Sequence, residues 1–194
     1  MEIASPTSVD EFWFAGPNGN ERGQSRKAWF IKDAGFDDEI RARFLATVVA
    51  AAAGELTHWA TEPRSALSLA VVLDQFPRNL FRDTPRAFAT DQLARDHVTQ
   101  AIDRGFDQAV LPVERLFFYL PFEHSEVIAD QERSIALFTA LAAGNAGMDG
   151  FLDYARRHHA AVVQFGRFPH RNRILGRSNS PAEAEFLKQP GSSF

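Results

Sequence analysis

Cysteine is missing from this chain altogether, which removes disulfides, thiolate metal sites and a cysteine nucleophile and fits a reducing compartment. Charge of one sign is scarce too: the formal net charge is only −4, so the surface as a whole is not built for nucleic acid, although a local basic patch is compatible with it. No apolar run approaches the ~20 residues of a membrane span, and Met1 to Asp10 lacks the cationic start and apolar stretch of a secretory signal. The expected location is the cytoplasm, with no membrane partner. Several catalytic signatures are also missing. Ser125 has no Gly-x-Ser-x-Gly elbow around it, no His-Glu-x-x-His occurs, and the run from Gly23 to Lys27 lacks the order of a phosphate loop. His158 and His159 are neighbours that point about 100° apart on a helix, which is no ligand pair. Neither a metal nor another cofactor is expected.

Strand-like alternation is scarce, and what replaces it is helical periodicity. From Phe36 to Ala53, the residues Phe36, Ile40, Phe44, Thr47 and Val48 recur at spacings of three and four with charges between them, and Gly54 is placed to end the helix. A similar pattern starts at Ser65 with Leu69, Val72, Leu73 and Phe76. Further helices are predicted over Asp91–Arg104, Val113–Leu120, Ser125–Leu141 and Phe151–Phe165. Ser180-Pro181-Ala182-Glu183 reads as a capping box opening a last short helix. Gly16–Gln24 and Ala142–Gly150 read as loops. Phe12, Trp13 and Phe14, with Trp29 and Phe30, read as anchors for the N-terminal segment. No composition shift divides the chain, so a single all-α domain is expected over residues 1–194.

Three phrases concentrate aromatic, proline and polar side chains: Gln75-Phe76-Pro77-Arg78-Asn79, Pro121-Phe122-Glu123-His124-Ser125-Glu126 and Arg167-Phe168-Pro169-His170-Arg171-Asn172. Proline lacks an N–H and clashes with the carbonyl four residues back, so Pro77, Pro121 and Pro169 are each expected to end or kink a helix. The polar residues then fall at helix ends, where side chains from separate helices can converge on one volume. Arg167, Arg171, Arg173 and Arg177 carry no acid among them and need carboxylates or phosphates for their planar donor forks. Asp74, Glu123 and Glu126 are the carboxylates the protein itself offers.

Two readings follow. In the first, the phrases line a pocket for a small anionic ligand, with Arg78, Arg167, His170 and Arg171 on the anion, Asn79 and Asn172 as orienting amides, and His124 with Glu126 or Asp74 as acid and base. In the second, the same residues form a structural salt-bridge network, and the helices serve as a protein-interaction module. Nucleic acid is a distant third, resting on the arginine cluster alone.

The extended phrases Leu73-Asp74-Gln75-Phe76-Pro77-Arg78-Asn79, Pro121-Phe122-Glu123-His124-Ser125-Glu126 and Phe165-Gly166-Arg167-Phe168-Pro169-His170-Arg171-Asn172, with Gly176-Arg177, resemble those of an uncharacterised bacterial family catalogued as a domain of unknown function. The aromatic opening Asp10-Glu11-Phe12-Trp13-Phe14 and the closing Ser180-Pro181-Ala182-Glu183 fit the same pattern, so the resemblance covers nearly the whole chain. It implies an all-helical, tetratricopeptide-like fold. It implies no activity, substrate or catalytic residue.

Overall fold

Ser5 opens the first helix by accepting the Ser8 N–H at 3.1 Å, with Pro6 in the first turn where its missing N–H costs nothing. This helix, α1 (Pro6–Asp10), widens at once into a π turn over Glu11–Ala15. The computed structural model describes residues 2–193, and among them every regular element is helical. The chain packs as two compact units, Met1–Arg82 with Arg86–Pro121, and Asp83–Pro85 with Phe122–Phe194.

In the first unit the wide turn leaves carbonyls without helical partners, and side chains from the following loop supply donors. Arg26 Nη1 donates to Phe12 O and Trp13 O at 2.8 and 2.5 Å, and Trp29 Nε1 donates to Trp13 O at 2.9 Å. Trp13, Phe14 and Trp29 are thereby held in the core, with Phe117 edge-on to all three. Phe30 differs from the expectation: it is 51% exposed, edge-on to Trp29, because the core face of that turn is already filled by Trp29. Helix α2 (Ala34–Ala52) starts where Asp33 accepts the Phe36 N–H, buries Ile40, Phe44, Thr47 and Val48, and ends before Gly54 at φ +78°. Phe44 stacks on Phe76, and Phe12 packs against both. Each such buried ring contributes about 1.5–3 kcal/mol of transfer free energy.

Helix α3 (Pro63–Ala70) lies against α1 and runs through a second π turn, Val71–Gln75, into α4 (Phe76–Leu80). Pro77 therefore does not end the helical run. The extra residue of the wide turn gives the ring room: the Phe76 N–H reaches back to Val71 O, five residues away. Two carbonyls freed by this detour find side-chain donors. Thr90 Oγ1 donates to Leu73 O at 2.6 Å, and Arg78 Nη1 donates to Asp74 O at 2.6 Å. Thr90 and Leu73 are buried, so Thr90→Val is expected to cost about 1–3 kcal/mol by stranding the Leu73 carbonyl. Urea unfolding measures this directly, and an unchanged midpoint would refute the assignment. Helices α5 (Asp91–Asp103), which packs on α3, and α6 (Pro112–Glu123) complete this part of the chain.

Pro121 also fails to stop its helix, since α6 continues two residues beyond it. The end that follows is closed from α7 (Ile128–Gly144), where fully buried Gln131 donates through Nε2 to Glu123 O and Ser125 O, both at 2.6 Å. In the second unit α7 and α8 (Asp149–Phe165) pack along each other, joined by the short link Asn145–Met148. Gly166, at φ +70°, caps α8. Pro169 opens a 3₁₀ turn, Pro169–Arg171, and the capping box of Ser180 and Glu183 starts α9 (Pro181–Phe186).

Candidate functional site

The first phrase builds its network inside the first unit. Arg78 pairs in bidentate fashion with Asp91, at 2.9 and 3.0 Å, and its Nη1 lies 3.3 Å from Asp74 Oδ1. Asp74 is 1% exposed and also accepts the Gln75 amide. The i,i+4 pairing of Asp74 with Arg78 thus survives Pro77, because the helical run is continuous. Asn79 donates to Asp37 Oδ1 at 2.8 Å, and Arg82 grips the same carboxylate through both of its oxygens. Burial pushes the Asp37 carboxyl up, but the hydrogen bonds from Arg82 and Asn79 outweigh it and hold the group below its usual range. A second knot in this unit ties Asp10 and Glu114 to Arg22 and Arg64. Glu114, 0% exposed, accepts Arg22 Nη1 at 2.7 Å and the Leu111 N–H at 3.0 Å, while Asp10 takes both arginines.

The second and third phrases meet in the second unit. Glu126 accepts the Phe168 N–H at 2.8 Å, and its two oxygens receive Arg177 Nη1 and Nη2 at 2.7 and 2.8 Å. Here again burial raises the carboxyl pKa, and the Arg177 and Phe168 hydrogen bonds more than reverse it. Arg167 grips Glu183 at 2.6 and 2.9 Å and also donates to Ser178 O. Those Arg167 bonds, first, and the Ser180 N–H hold Glu183 far below the ordinary carboxylate range. Asn172 bridges Asn179, Glu183 and Arg177. Ser125, beside His124, donates to Asp130 Oδ2 at 2.6 Å and accepts the Val127 N–H, so its hydroxyl organises the start of α7.

Around Phe168 the imidazoles gather. The His158 ring stands edge-on to Phe168 at 5.5 Å, His170 lies 5.6 Å away on the same ring, and the Arg171 guanidinium sits over it at 4.6 Å. His124, half-buried, faces His158 at 6.5 Å. Burial, and then the nearby cationic and imidazole groups, pushes His158 down to about 3 and His170 down to about 4. Both rings are therefore neutral at pH 7. A neutral His158 carries its proton on Nδ1, donated to Tyr154 O at 2.9 Å with Glu123 Oε1 at 3.2 Å on the same side. That contact with Glu123 is thus a hydrogen-bonding approach and not an ion pair.

Of the residues singled out from sequence, the structure brings together His124, Glu126, Arg167, His170, Arg171 and Asn172. Asp74, Arg78 and Asn79 belong to the first unit's network. Sequence reasoning passed over Asp37, Asp91 and Glu183 as partners, and His158 as part of the cluster. His158 was findable: Ala155, His158, Ala161 and Val162 are buried at spacings of three and four along α8, so the histidine lies on the apolar stripe. The aspartates have no such local signal. Among the described residues no group of three or more histidine, aspartate and glutamate side chains is arranged to hold a metal ion, and no helix is long and apolar enough to cross a membrane.

A solved structure of a protein of unknown function from Agrobacterium tumefaciens is similar to this one, with 44% identity, a TM-score of 0.82, and coverage of 94% of this chain and 96% of that one. No curated protein matches the chain. The model of the DUF924 family, described as bacterial proteins of unknown function, matches residues 9–191. Because that match spans nearly the whole chain, the chain belongs to the DUF924 family.

Proposed function

We propose that the second unit binds a small anionic molecule, bearing a carboxylate or phosphate, at the cluster of His124, His158, His170 and Arg171. The observation that carries this reading is the gathering of three imidazoles and a guanidinium about the single ring of Phe168. Such a group repels further positive charge, which is one reason that two of its histidines are neutral. An anion reverses that balance: it stabilises protonated imidazole, so binding draws in protons. His124, less buried than His158, is the ring placed to exchange them with solvent. In this reading Arg78 serves as the counter-charge of Asp91 and Arg167 as that of Glu183. Glu126 serves as a strut, since both of its oxygens are engaged.

The test is titration calorimetry with inorganic phosphate and with malonate at pH 7.5 and 6.0. Affinity is expected to tighten by up to about tenfold per pH unit for each proton taken up. Binding should vanish in Arg171→Gln and in His124→Ala with the helical circular dichroism intact. Equal affinity at both pH values, or in both variants, refutes the proposal. Unfolding of both variants would make the cluster architectural and refute it equally.

A further inference from the structure

Outside both networks, α2 carries an apolar stripe that is partly exposed. Leu45, Val49 and Ala52 follow one another at spacings of four and three, and Val49 is 53% exposed. Ile3, 46% exposed, flanks the stripe, its position set by the hydrogen bond from the Ala4 N–H to Thr47 Oγ1 at 2.9 Å. Between Ile3, Leu45, Val49 and Phe81 lies an open hollow of about 510 Å³. Val49, Phe81 and Arg86 also line an adjoining hollow of about 170 Å³ floored by Val48, Ala52 and Pro77, so the two form one groove within the first unit.

Its rim is basic. Arg41, held by its bond to Leu80 O at 2.5 Å, and Arg86, spread over Phe81 at 3.9 Å, outnumber the lone acid Glu55. We infer that this groove docks an amphipathic helix of a partner protein, which lays aliphatic side chains on Leu45 and Val49 and sets carboxylates against Arg41 and Arg86. Helix-in-groove binding reads anchors one turn apart, which is the spacing the stripe presents. A free fatty acid fits less well, because an open groove leaves half of an acyl chain in water. A second copy of this chain fits less well too: a two-fold contact of the patch with itself sets arginine against arginine. This inference is independent of the anion site in the second unit.

The test uses a displayed library of helical peptides with aliphatic residues on one face and Glu, Lys or Gln elsewhere, selected on the immobilised full chain. Enriched sequences are expected to be rich in Glu beside the aliphatic face. Their affinity should fall at least tenfold in Val49→Asp and in Ile3→Asp, two exposed positions whose replacement leaves the fold intact by circular dichroism. Arg41→Glu with Arg86→Glu should turn the enrichment toward Lys. The inference is overturned by no enrichment, by binders indifferent to both apolar variants, or by an acid preference that survives charge reversal. Self-association in sedimentation velocity that Val49→Asp abolishes would assign the groove to a second copy and overturn it as well.

Discussion

Arg78→Met is expected to lower the stability of the chain by about 3–5 kcal/mol, the range for removing one partner of a buried ion pair. The guanidinium is the shared counter-charge of Asp91, whose side chain is 12% exposed, and of Asp74, at 1%. It also supplies a donor to Asp74 O in the π turn, so its loss removes that hydrogen bond together with the counter-charge of two buried carboxylates. Removing the charge from both sides tests this account. Arg78→Met combined with Asp91→Leu should recover at least half of the loss, since replacing a buried pair by apolar side chains is often close to neutral. Arg78→Lys should fall between, because an ammonium cannot reproduce the planar fork that meets both Asp91 oxygens. Denaturant midpoints for the four proteins decide the matter. A normal midpoint in Arg78→Met, accompanied by lost affinity for a carboxylate or phosphate, would return Arg78 to the role of anion clamp.

Acid should destabilise the protein well above the range where carboxylates titrate. His158 and His170, in the unfolded chain near 6.5, fall to about 3 and about 4 when folded, so between those values the unfolded state binds more protons. Their contribution is fully present above pH 6.5 and is lost as pH falls toward the folded values. At pH 5 each costs about 2 kcal/mol, less in sum because the two rings act on each other. His97, in the first unit, is depressed by burial, partly offset by its 2.7 Å hydrogen bond with Ala66 O, and adds in the same direction. Glu126, Asp37 and Glu183 are lowered carboxylates, whose contribution holds above about pH 4.5 and disappears below it. Two acid limbs are therefore expected. His158→Gln isolates the first: it should reduce the slope of stability against pH between 6.5 and 4 by about 1.4 kcal/mol per pH unit, one proton's worth. Urea midpoints at pH 7.5, 6.0 and 5.0 measure it, and an unchanged wild-type midpoint across that range would contradict the buried-histidine account.

The helices were legible because their causes are local. Residues three and four apart decide an apolar face, and a serine or glycine decides an end, so α2 and α9 lie close to where the pattern puts them, Ser180 capping the latter. The aromatic opening was legible for a related reason, since Trp13 and Phe14 have no way to be satisfied except by burial. At Pro77 equally local rules leave an end or a kink open, and the structure runs on through a widened turn. A proline in a helical pattern has two outcomes, a stop or a widened turn, and the choice rests on whether Thr90 and Arg78 are there to take the freed carbonyls. Thr90 is distant in sequence and declares nothing of this role.

From the amino-acid order alone came the all-α class, the end of α2 before Gly54, the Ser180 cap of α9 and the identity of the charged side chains that need partners. Tertiary structure alone decided which partners they took: Asp91 for Arg78, Glu183 for Arg167, Arg177 for Glu126, and Arg22 and Arg64 for Asp10 and Glu114. The physical reason is one of range. Backbone angles and apolar periodicity act within a turn or two of helix, whereas a guanidinium accepts any carboxylate that packing carries to it, and packing is settled by the core rather than by the charges themselves.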